Sequence, residues 1–443
     1  MKSRHALSGT LWLALYVFLS LLPILIVSVG PKPPGREFLT EFSVAVGFMA
    51  LAMMCLQFAL TARFRWLKEP FGSDVVYSFH RAISLVAAAF VVCHPTLLSF
   101  TPVRSEVFVR LDLLNHPFFP RWGFGAALLL GTLVVTSLGR KRFHISYEFW
   151  RRLHAVCAIG VVLFGVLHVV VENHYFGMPL KGGLWIAYTC LWICLTLWVR
   201  LGKPSLLLSR PFVVESVRAE RGNAWTIALA PDGHSGFRFS PGQFGWLTLF
   251  SSPFADREHP FSFSCSAEAA PRLEFTVKEL GDFTREVHRA APGDRAYVDG
   301  PFGAITADRH RHASGFVLIA GGVGITPMMS HLRTFADRGD PRPLLLIYAN
   351  NVWDEVTFRE EIERLQLALN LRVAHVLAKP PQGWQGESGF VTEELLRRWI
   401  PPLEARHEYF VCGPPGMMLA VEQALVNLGV SRSDIHSERF DLV

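Results

Sequence analysis

The sequence contains no cysteine framework and no catalytic triad. Its seven cysteines form no CxxC pair and no spacing typical of disulfides. We find no acid–base or nucleophilic triad, no internal repeat and no low-complexity tract. The 43 lysines and arginines give a net charge of +6 but are scattered, and no nucleic-acid motif accompanies them. Binding to nucleic acid is therefore not indicated.

Charged residues are scarce in the first 200 or so positions, where the apolar residues concentrate. Hydrophobic residues make up 51% of the chain and its mean hydropathy is +0.29, which is high for a soluble protein. Beyond this region, charge, proline and glycine return to ordinary levels. The chain is therefore predicted to join a membrane-spanning half, with the lipid bilayer as its partner, to a soluble half.

Six apolar runs are long enough, or nearly so, to cross a hydrocarbon layer of ~30 Å. The first run follows Lys2 and Arg4, and its length suits a spanning helix better than the short core of a cleaved signal. The predicted spans are 11–30, 42–61, 77–100, 122–138, 153–171 and 183–199.

Lysine and arginine are distributed unequally between the two sets of loops. One side carries a dense set in short segments, and the other carries a sparser set in longer segments. By the positive-inside rule the dense side is cytoplasmic, so both termini and the soluble half of this integral membrane protein are expected in the cytoplasm. The dense set is Lys2, Arg4, Arg63, Arg65, Lys68, Arg140, Lys141, Arg142, Arg151, Arg152, Arg200 and Lys203.

The soluble half contains two different patterns. Short β-like alternation broken by turns comes first and is typical of a small antiparallel barrel. Strand and helix then alternate, beginning with "GFVLIAGGVGITPMMSHLRTF", which is typical of a parallel α/β domain. We predict a multidomain membrane protein with a six-helix transmembrane bundle (1–205), an antiparallel β-barrel (206–312) and an α/β parallel-sheet nucleotide-binding domain (313–443).

Two of the predicted spans each carry two histidines fourteen residues apart. His80 and His94 lie in the third span, and His154 and His168 lie in the fifth. Fourteen residues of helix rise ~21 Å and return to nearly the same face, so two histidines of one helix cannot share one iron. The two spans have the same polarity, which places His80 at the depth of His154 and His94 at the depth of His168. The spacing predicts two stacked bis-histidine sites, for which planar haem is the natural occupant.

These histidines also have a less specific interpretation. A histidine within a span often makes a helix–helix hydrogen bond or lines a pore, but the repeated spacing on two spans of the same polarity favours metal ligation. Arg81 either pairs with a haem propionate or is an interfacial cation. His116, His144 and His174 fall in loops and are interpreted as surface residues, although His174 could line an acceptor site.

Four short motifs follow in order along the soluble half. The motifs are "HPFSFS" (259–264), "VKELGDFTREV" (277–287), "AGGVGITPMM" (320–329) and "CGPPGMM" (412–418). Each motif alone also fits an ordinary barrel strand, a threonine-capped helix start or a generic βα turn. Together with the paired histidines, and in this order, they resemble the NADPH oxidase and ferric reductase family of transmembrane flavocytochromes b, whose soluble half is similar to ferredoxin reductases.

The resemblance implies an FAD site in the first two motifs. Phe261 would pack against the flavin, and Ser262, which replaces the usual threonine, would hydrogen-bond near N5. The N–H groups of a helix start suit a pyrophosphate, and Lys278 would add charge. The implied FAD-binding residues are His259, Pro260, Phe261, Ser262, Lys278, Gly281, Asp282, Phe283 and Thr284.

The last two motifs imply a site for NADPH or NADH. Glycines let backbone N–H groups approach a pyrophosphate closely, and Thr326 would lie next to the nicotinamide. Cys412 would be a packing thiol beside the hydride path rather than a nucleophile. With Phe440, which would cover the flavin, Ser262 and Cys412 are the candidate catalytic residues. The implied nucleotide-binding residues are Gly321, Gly322, Gly324, Ile325, Thr326, Pro327, Cys412, Gly413 and Pro414.

The sequence departs from the family pattern at two places. Asn351 stands near a position where the family often has an arginine, and a neutral residue cannot pair with the 2′-phosphate of NADPH. The choice between NADPH and NADH therefore stays open. The family commonly ends on the aromatic residue that covers the flavin, whereas Phe440 lies three residues before the end.

The resemblance implies an oxidoreductase that moves electrons from cytoplasmic NAD(P)H, by way of FAD and two b-type haems, to an acceptor on the outer face. Oxygen, reduced to superoxide, is the favoured acceptor. A ferric chelate, a quinone or a partner protein are the alternatives. A non-enzymatic alternative is a histidine-lined transporter with a regulatory nucleotide domain, which would contain no haem.

Overall fold

The computed structural model describes residues 2–64, 72–101 and 121–439. Four positions singled out from the sequence, Arg65, Lys68, His116 and Phe440, lie outside the described residues. The chain divides into two compact units, which are Met1–Phe71 with Val75–Lys203, and Gly72–Asp74 with Pro204–Val443. We refer to them as the membrane unit and the soluble unit.

Within the described residues, six helices are long and apolar enough to cross a membrane, which confirms the six predicted spans. Every helix begins before its apolar run, because backbone hydrogen bonding continues into the interface while hydropathy marks only the part that suits lipid. A π-helical turn (Trp198–Gly202) and α7 (Lys203–Leu208) continue the last span. The helices are α1 (Lys2–Ser28), α2 (Phe38–Thr61), α3 (Ser73–Ser99), α4 (Arg121–Gly139), α5 (Tyr147–Glu172) and α6 (Pro179–Leu197).

An aromatic cluster packs α2 against α6 in the membrane unit. Phe48 lies edge-on to Trp185 at 5.0 Å, and Phe58 lies edge-on to Trp192 at 6.1 Å. Large rings that interdigitate in this way fix the relative rotation of two helices. The rotation of α2 matters because this helix contacts α3, as described below.

The first part of the soluble unit is a six-stranded antiparallel sheet. Its strands are β1 (Phe212–Glu220), β2 (Ala224–Pro231), β3 (Phe244–Leu249), β4 (His259–Ser262), β5 (Leu273–Lys278) and β6 (Arg295–Phe302). They have the order β4-β3-β6-β1-β2-β5, and the short α8 (Asp282–Glu286) follows β5. A bridge between Phe263 and Phe275 links the two edges of the sheet, as a small barrel requires.

The second part of the soluble unit is a parallel sheet with helices between its strands. The strands are β7 (Gly315–Gly321), β8 (Leu344–Asn350), β9 (Leu371–Leu377), β10 (Glu387–Ser388), β11 (His407–Cys412) and β12 (Ile435–Ser437), and the helices are α9 (Ile325–Arg338), α10 (Arg359–Ala368), α11 (Glu393–Trp399) and α12 (Pro415–Asn427). The strand order is β10-β9-β8-β7-β11-β12 and changes direction between β7 and β11. Ligands of such sheets bind beyond the carboxyl ends of the strands at this point.

Candidate functional site

The structure pairs the four histidines of α3 and α5 in the way that their spacing predicts. The ring centres of His80 and His154 lie 6.3 Å apart, and those of His94 and His168 lie 6.2 Å apart. Two metal–nitrogen bonds of about 2 Å, with about 1 Å from each nitrogen to its ring centre, require a separation of about 6 Å. Each pair is therefore spaced to hold one metal ion between its rings.

A neighbouring acceptor on α2 engages Nδ1 of each α3 histidine. Nδ1 of His80 lies 2.6 Å from Oε1 of Gln57, and Nδ1 of His94 lies 2.9 Å from the backbone oxygen of Ser43. Because both partners accept, Nδ1 carries the proton and Nε2 carries the lone pair. This is the tautomer that a histidine needs to bind a metal through Nε2.

The α5 histidines also have neighbours at Nδ1. Nδ1 of His154 lies 3.3 Å from Oγ of Ser137, which also accepts a hydrogen bond from the indole N–H of Trp150 at 3.2 Å. Nδ1 of His168 lies 3.9 Å from a carboxylate oxygen of Glu172, one turn further along the helix. Ser137 is thus within hydrogen-bonding distance of His154, whereas Glu172 is near His168 without a direct hydrogen bond.

The neighbours of the histidines repeat the spacing of fourteen residues. Ser43 and Gln57 are fourteen residues apart on α2, and so are Gly123 and Ser137 on α4, which contact the two histidines of α5. We did not identify these residues from the sequence, because serine, glutamine and glycine are ordinary in spans. The signal that would have found them is the same spacing on the two neighbouring helices.

A cavity lies beside the pair of His94 and His168. A Cβ atom at Gly47 would lie 3.1 Å from Nδ1 of His94, and one at Gly123 would lie 3.3 Å from the ring of His168. The absence of these two side chains therefore makes room for the imidazoles. The cavity is lined by these residues and, among others, by Arg36, Thr40, Leu51, Pro95, Phe124, Glu172, His174 and Tyr175.

The position of His174 corrects our expectation of a surface residue. It is half-buried and lines this cavity, and its ring lies edge-on to Tyr175 at 4.8 Å. The guanidinium of Arg36 lies 5.7 Å from the centre of the Tyr175 ring and hydrogen-bonds Glu41 at 3.0 Å. The hydroxyl of Tyr175 also donates to Glu41. One end of the cavity is therefore polar. By contrast, His144 is exposed, as expected.

In the soluble unit, the first two motifs share one aromatic cluster. β4 pairs with β3, and the ring of Phe283 stacks on His259 at 4.0 Å and lies nearly parallel to Phe261 at 6.0 Å. Ser262 is buried at the end of β4. The structure therefore brings "HPFS" and "GDF", which are twenty residues apart in sequence, onto one surface.

A threonine side chain caps the start of α8. Oγ1 of Thr284 accepts from the backbone N–H groups of Leu280 and Gly281, both at 2.8 Å. The threonine-capped helix start, one of the two interpretations of this motif, is therefore present, and the backbone N–H groups of residues 282–284 have no acceptor within the helix. Lys278 forms an ion pair with Glu355 at 3.6 Å, so its charge is shared with a carboxylate.

The two nucleotide motifs meet at the change of strand direction. β7 and β11 are neighbours, and Ala320 pairs with Cys412. A Cβ at Gly413 would lie 3.1 Å from the backbone nitrogen of Gly321, and one at Gly324 would overlap the backbone oxygen of Cys412. Glycine is therefore required for the two turns to touch, and Gly322 adopts a positive φ of 53°.

Helix α9 attaches the nucleotide turn to the barrel. Oγ of Ser330 donates to the backbone oxygen of Cys265 at 2.8 Å, and Oγ1 of Thr334 accepts from the backbone N–H of Ala267 at 2.9 Å. The guanidinium of Arg333 forms a two-bond ion pair with Glu361, with both distances 2.7 Å. The same guanidinium donates to the backbone oxygen of Ser264 at 2.6 Å and to Glu274 at 3.3 Å. The segment after β4 and the helix after the "GGVG" turn are thus held together.

Cys412 is buried, and burial raises the pKa of its thiol to about 12, with the nearby charge of Glu438 adding to the effect. The thiol therefore stays protonated at neutral pH and is a poor nucleophile, as expected for a packing residue. Thr326 is also buried, and its hydroxyl donates to the backbone oxygen of Val323 at 3.1 Å. The proximity of Glu438 to Cys412 was not predicted from the sequence, because no motif contains Glu438.

Two of the protein-family models match parts of this chain. The ferric reductase-like transmembrane component matches residues 46–166, which include three of the four paired histidines. The oxidoreductase NAD-binding domain matches residues 318–423, which include the "GGVG" and "CGPPG" turns. The matches therefore lie in the membrane unit and in the parallel-sheet part of the soluble unit.

The curated relatives match a shorter region. NADH-cytochrome b5 reductase 2 of Phaeosphaeria nodorum is 32% identical over 202 residues, covering 43% of this chain and 58% of the relative. The protein of the same name from Chaetomium globosum is 34% identical over 185 residues, covering 40% of this chain and 52% of the relative. This chain thus spans about half the length of the curated relatives that it matches.

Among solved structures, the flavohem-like FAD/NAD-binding domain of nitric oxide dioxygenase from Vibrio cholerae is similar to this chain. It has 26% sequence identity and a TM-score of 0.46, and the match covers 52% of this chain and 97% of that one. The two family matches support the resemblance drawn from the motifs. The chain contains a match to a ferric reductase-like transmembrane component followed by a match to an oxidoreductase NAD-binding domain, which is consistent with the NADPH oxidase and ferric reductase family.

Proposed function

We propose that this protein transfers electrons from a cytoplasmic nicotinamide nucleotide through the membrane to an acceptor on the outer face. The observation that carries the proposal is the pairing of four histidines, at 6.3 Å and 6.2 Å, on two levels of the same two helices. A histidine-lined transporter gives no reason for two equal separations that each match one metal ion. An electron path through a membrane needs redox centres at two depths, since one centre cannot span ~30 Å of hydrocarbon.

The residues present fit two b-type haems. The donor set is two neutral imidazoles in each pair, which are common axial ligands of haem iron. The cavity beside the outer pair, which Gly47 and Gly123 help to line, offers space next to the two imidazoles, as a bulky planar group requires. We therefore assign His80 and His154 to an inner haem and His94 and His168 to an outer haem. Gln57 and Ser43 would hold the α3 imidazoles in their ligating tautomer.

The residues of the soluble unit fit FAD and a nicotinamide nucleotide. When bound, FAD would accept hydride from the nucleotide and the haem irons would carry single electrons, which is chemistry that no side chain here supplies. The chain's own contribution is to bind and orient these groups. We propose that Phe261, Ser262 and the N–H groups at the start of α8 bind FAD, and that the joined turns at Gly321 and Gly413 bind the nucleotide.

We propose NADH as the preferred nucleotide. Asn351 follows β8 and is exposed, and it offers no positive charge to a 2′-phosphate. The curated relatives are also named as NADH-dependent reductases. The ratio of kcat/KM for NADH to that for NADPH should exceed ten in the purified protein, and Asn351→Arg should lower it. A wild-type preference for NADPH would contradict this assignment.

The orientation and the acceptor complete the proposal. The dense set of lysines and arginines in short loops supports a cytoplasmic soluble unit. The curated relatives are named as reductases of a cytochrome. We propose that in this chain the haems of its own membrane unit accept the electrons instead of a separate cytochrome. We propose oxygen as the acceptor, reduced near the polar end of the outer cavity at Arg36 and His174. Superoxide formation in air, measured with superoxide dismutase as the control, separates oxygen from a ferric chelate.

The haem assignment is tested by counting haem per chain. Wild-type protein should contain two b-type haems, and His94→Ala or His168→Ala should contain one while NADH still reduces the flavin. The control is His144→Asn, because His144 is exposed and has a positive φ of 51°, which asparagine tolerates. Two haems per chain in both alanine variants would contradict the assignment.

A further inference from the structure

Three side chains from separate segments of the soluble unit converge away from the cofactor motifs. Nδ1 of His310 lies 3.2 Å from Oε1 of Glu408, and Nε2 of His436 lies 2.7 Å from Oε2 of the same residue. His310 belongs to the segment that joins β6 to β7, whereas Glu408 is on β11 and His436 is on β12. One potential ligand atom from each residue lies within 4.8 Å of the other two.

The surroundings hold these side chains in place and leave one side accessible. The ring of Phe410, which is fully buried, lies 6.0 Å from that of His310 and 5.3 Å from that of His436. The side chains of His310, Glu408 and His436 are 16%, 12% and 20% exposed. An ion could therefore reach the cluster without unfolding the sheet, and the apolar floor would limit the ligands to this set.

The donor set is suited to a borderline-soft divalent cation. Two imidazoles with one carboxylate are a common ligand set for Zn²⁺, with bonds of about 2.0–2.2 Å. Neighbouring ligands of a tetrahedral ion with such bonds lie about 3.3 Å apart, and the three potential ligand atoms here lie within 4.8 Å of one another, so small side-chain movements would bring them to an ion.

We propose that His310, Glu408 and His436 form a binding site for Zn²⁺ or a similar divalent transition metal, with solvent in the fourth position. The site is independent of the proposed electron transfer. A bound ion would tie the segment between the two parts of the soluble unit to β11 and to β12, the strand that leads into the last residues of the chain. Since the ligand atoms belong to the folded protein and are apart in the unfolded chain, the ion would stabilise the fold.

The alternative is that the two histidines only hydrogen-bond Glu408 and hold β12 in place. Full-length protein without a histidine tag, treated with chelator and then dialysed against micromolar ZnSO₄, separates the two. Zinc is counted by mass spectrometry, because haem absorbance would hide the spectrum of a Co²⁺ substitute. Binding of one zinc per chain with a rise in Tm is expected, and no bound zinc would overturn the proposal.

Variants locate the bound ion. Glu408→Gln and His310→Ala should each weaken zinc binding by more than about 100-fold. Loss of a residue that only hydrogen-bonds a metal ligand already lowers metal affinity by about 10–100-fold, and loss of a ligand itself should cost more. His312→Ala is the matched control, because His312 is exposed and two residues from His310, and it should bind zinc as the wild type does. The amount of FAD bound per chain shows whether each variant is folded. His310 lies outside the sheet, so its replacement by alanine should leave the fold intact. Zinc binding unchanged in folded His310→Ala and Glu408→Gln would overturn the proposal.

Discussion

At the scale of single residues, the imidazole partners matter as much as the imidazoles. Gln57 and Ser43 accept from Nδ1 of His80 and His94, and neither was found from the sequence. An acceptor at Nδ1 makes the imidazole a stronger electron donor to a metal at Nε2. A stronger donor stabilises the oxidised iron, so these contacts should lower the reduction potential of the haem that we propose for each histidine.

Replacing Gln57 by leucine should therefore raise the potential of one haem and leave the other unchanged. Only the difference in strength of this hydrogen bond between the two oxidation states changes the potential, so a bond of about 0.5–1.5 kcal/mol limits the shift to at most roughly 20–60 mV for a one-electron centre. A spectroscopic redox titration of both haems measures this, and Thr61→Val on the same helix, whose hydroxyl bonds only backbone oxygens of that helix, is the control. Equal shifts of both haems, or a shift to lower potential, would contradict the role given to Gln57.

At the scale of secondary-structure elements, α9 connects the parallel-sheet part of the soluble unit to the barrel part. It begins at the "GGVG" turn and contacts the segment after "HPFS" through Ser330, Arg333 and Thr334. The Arg333 guanidinium is mostly buried and shared by two carboxylates and a backbone oxygen. Its removal would leave buried charges unpaired, which is far more costly than the loss of a surface ion pair.

Replacing Arg333 by alanine should destabilise the soluble unit by about 3–5 kcal/mol and reduce retention of FAD. The matched control is Arg338→Ala on the same helix, because Arg338 pairs with Glu268 and Asp308 at the surface, where loss of a pair costs about 0–1 kcal/mol. Thermal unfolding followed by flavin fluorescence distinguishes them. Equal destabilisation by the two variants would show that burial of the Arg333 pair is unimportant.

The sequence predicts the membrane-spanning helices and the two histidine pairs, but not the residues that hydrogen-bond those histidines. The spans of α1 to α6 follow from apolar length, and the two histidine pairs follow from spacing alone, because both properties are fixed within one helix. The pairing of Gln57 with His80 depends on the rotation of α2 against α3, which packing of rings such as Phe48 and Trp185 helps to determine. The burial of His174 and the joining of Gly324 to Cys412 also arise only in the folded chain.

At the scale of the whole molecule, the two units make sense as parts of one electron path. The soluble unit brings the flavin and nucleotide motifs together, and the membrane unit places two histidine pairs at two depths. Each electron that crosses to the outer face moves charge, which costs or releases ~2.3 kcal/mol per 100 mV of membrane potential. The proposed function therefore requires that reduction occurs on the side of the membrane opposite the nucleotide.

Proteoliposomes with cytochrome c enclosed and NADH added outside test this requirement most directly. The chains whose soluble unit faces outward should reduce the enclosed cytochrome c, and the double variant His94→Ala/His168→Ala should not, although NADH still reduces its flavin. Enclosed superoxide dismutase should suppress the reduction if oxygen is the acceptor. No reduction by haem- and FAD-loaded wild-type protein, or undiminished reduction by the double variant, would contradict transmembrane electron transfer through the paired histidines.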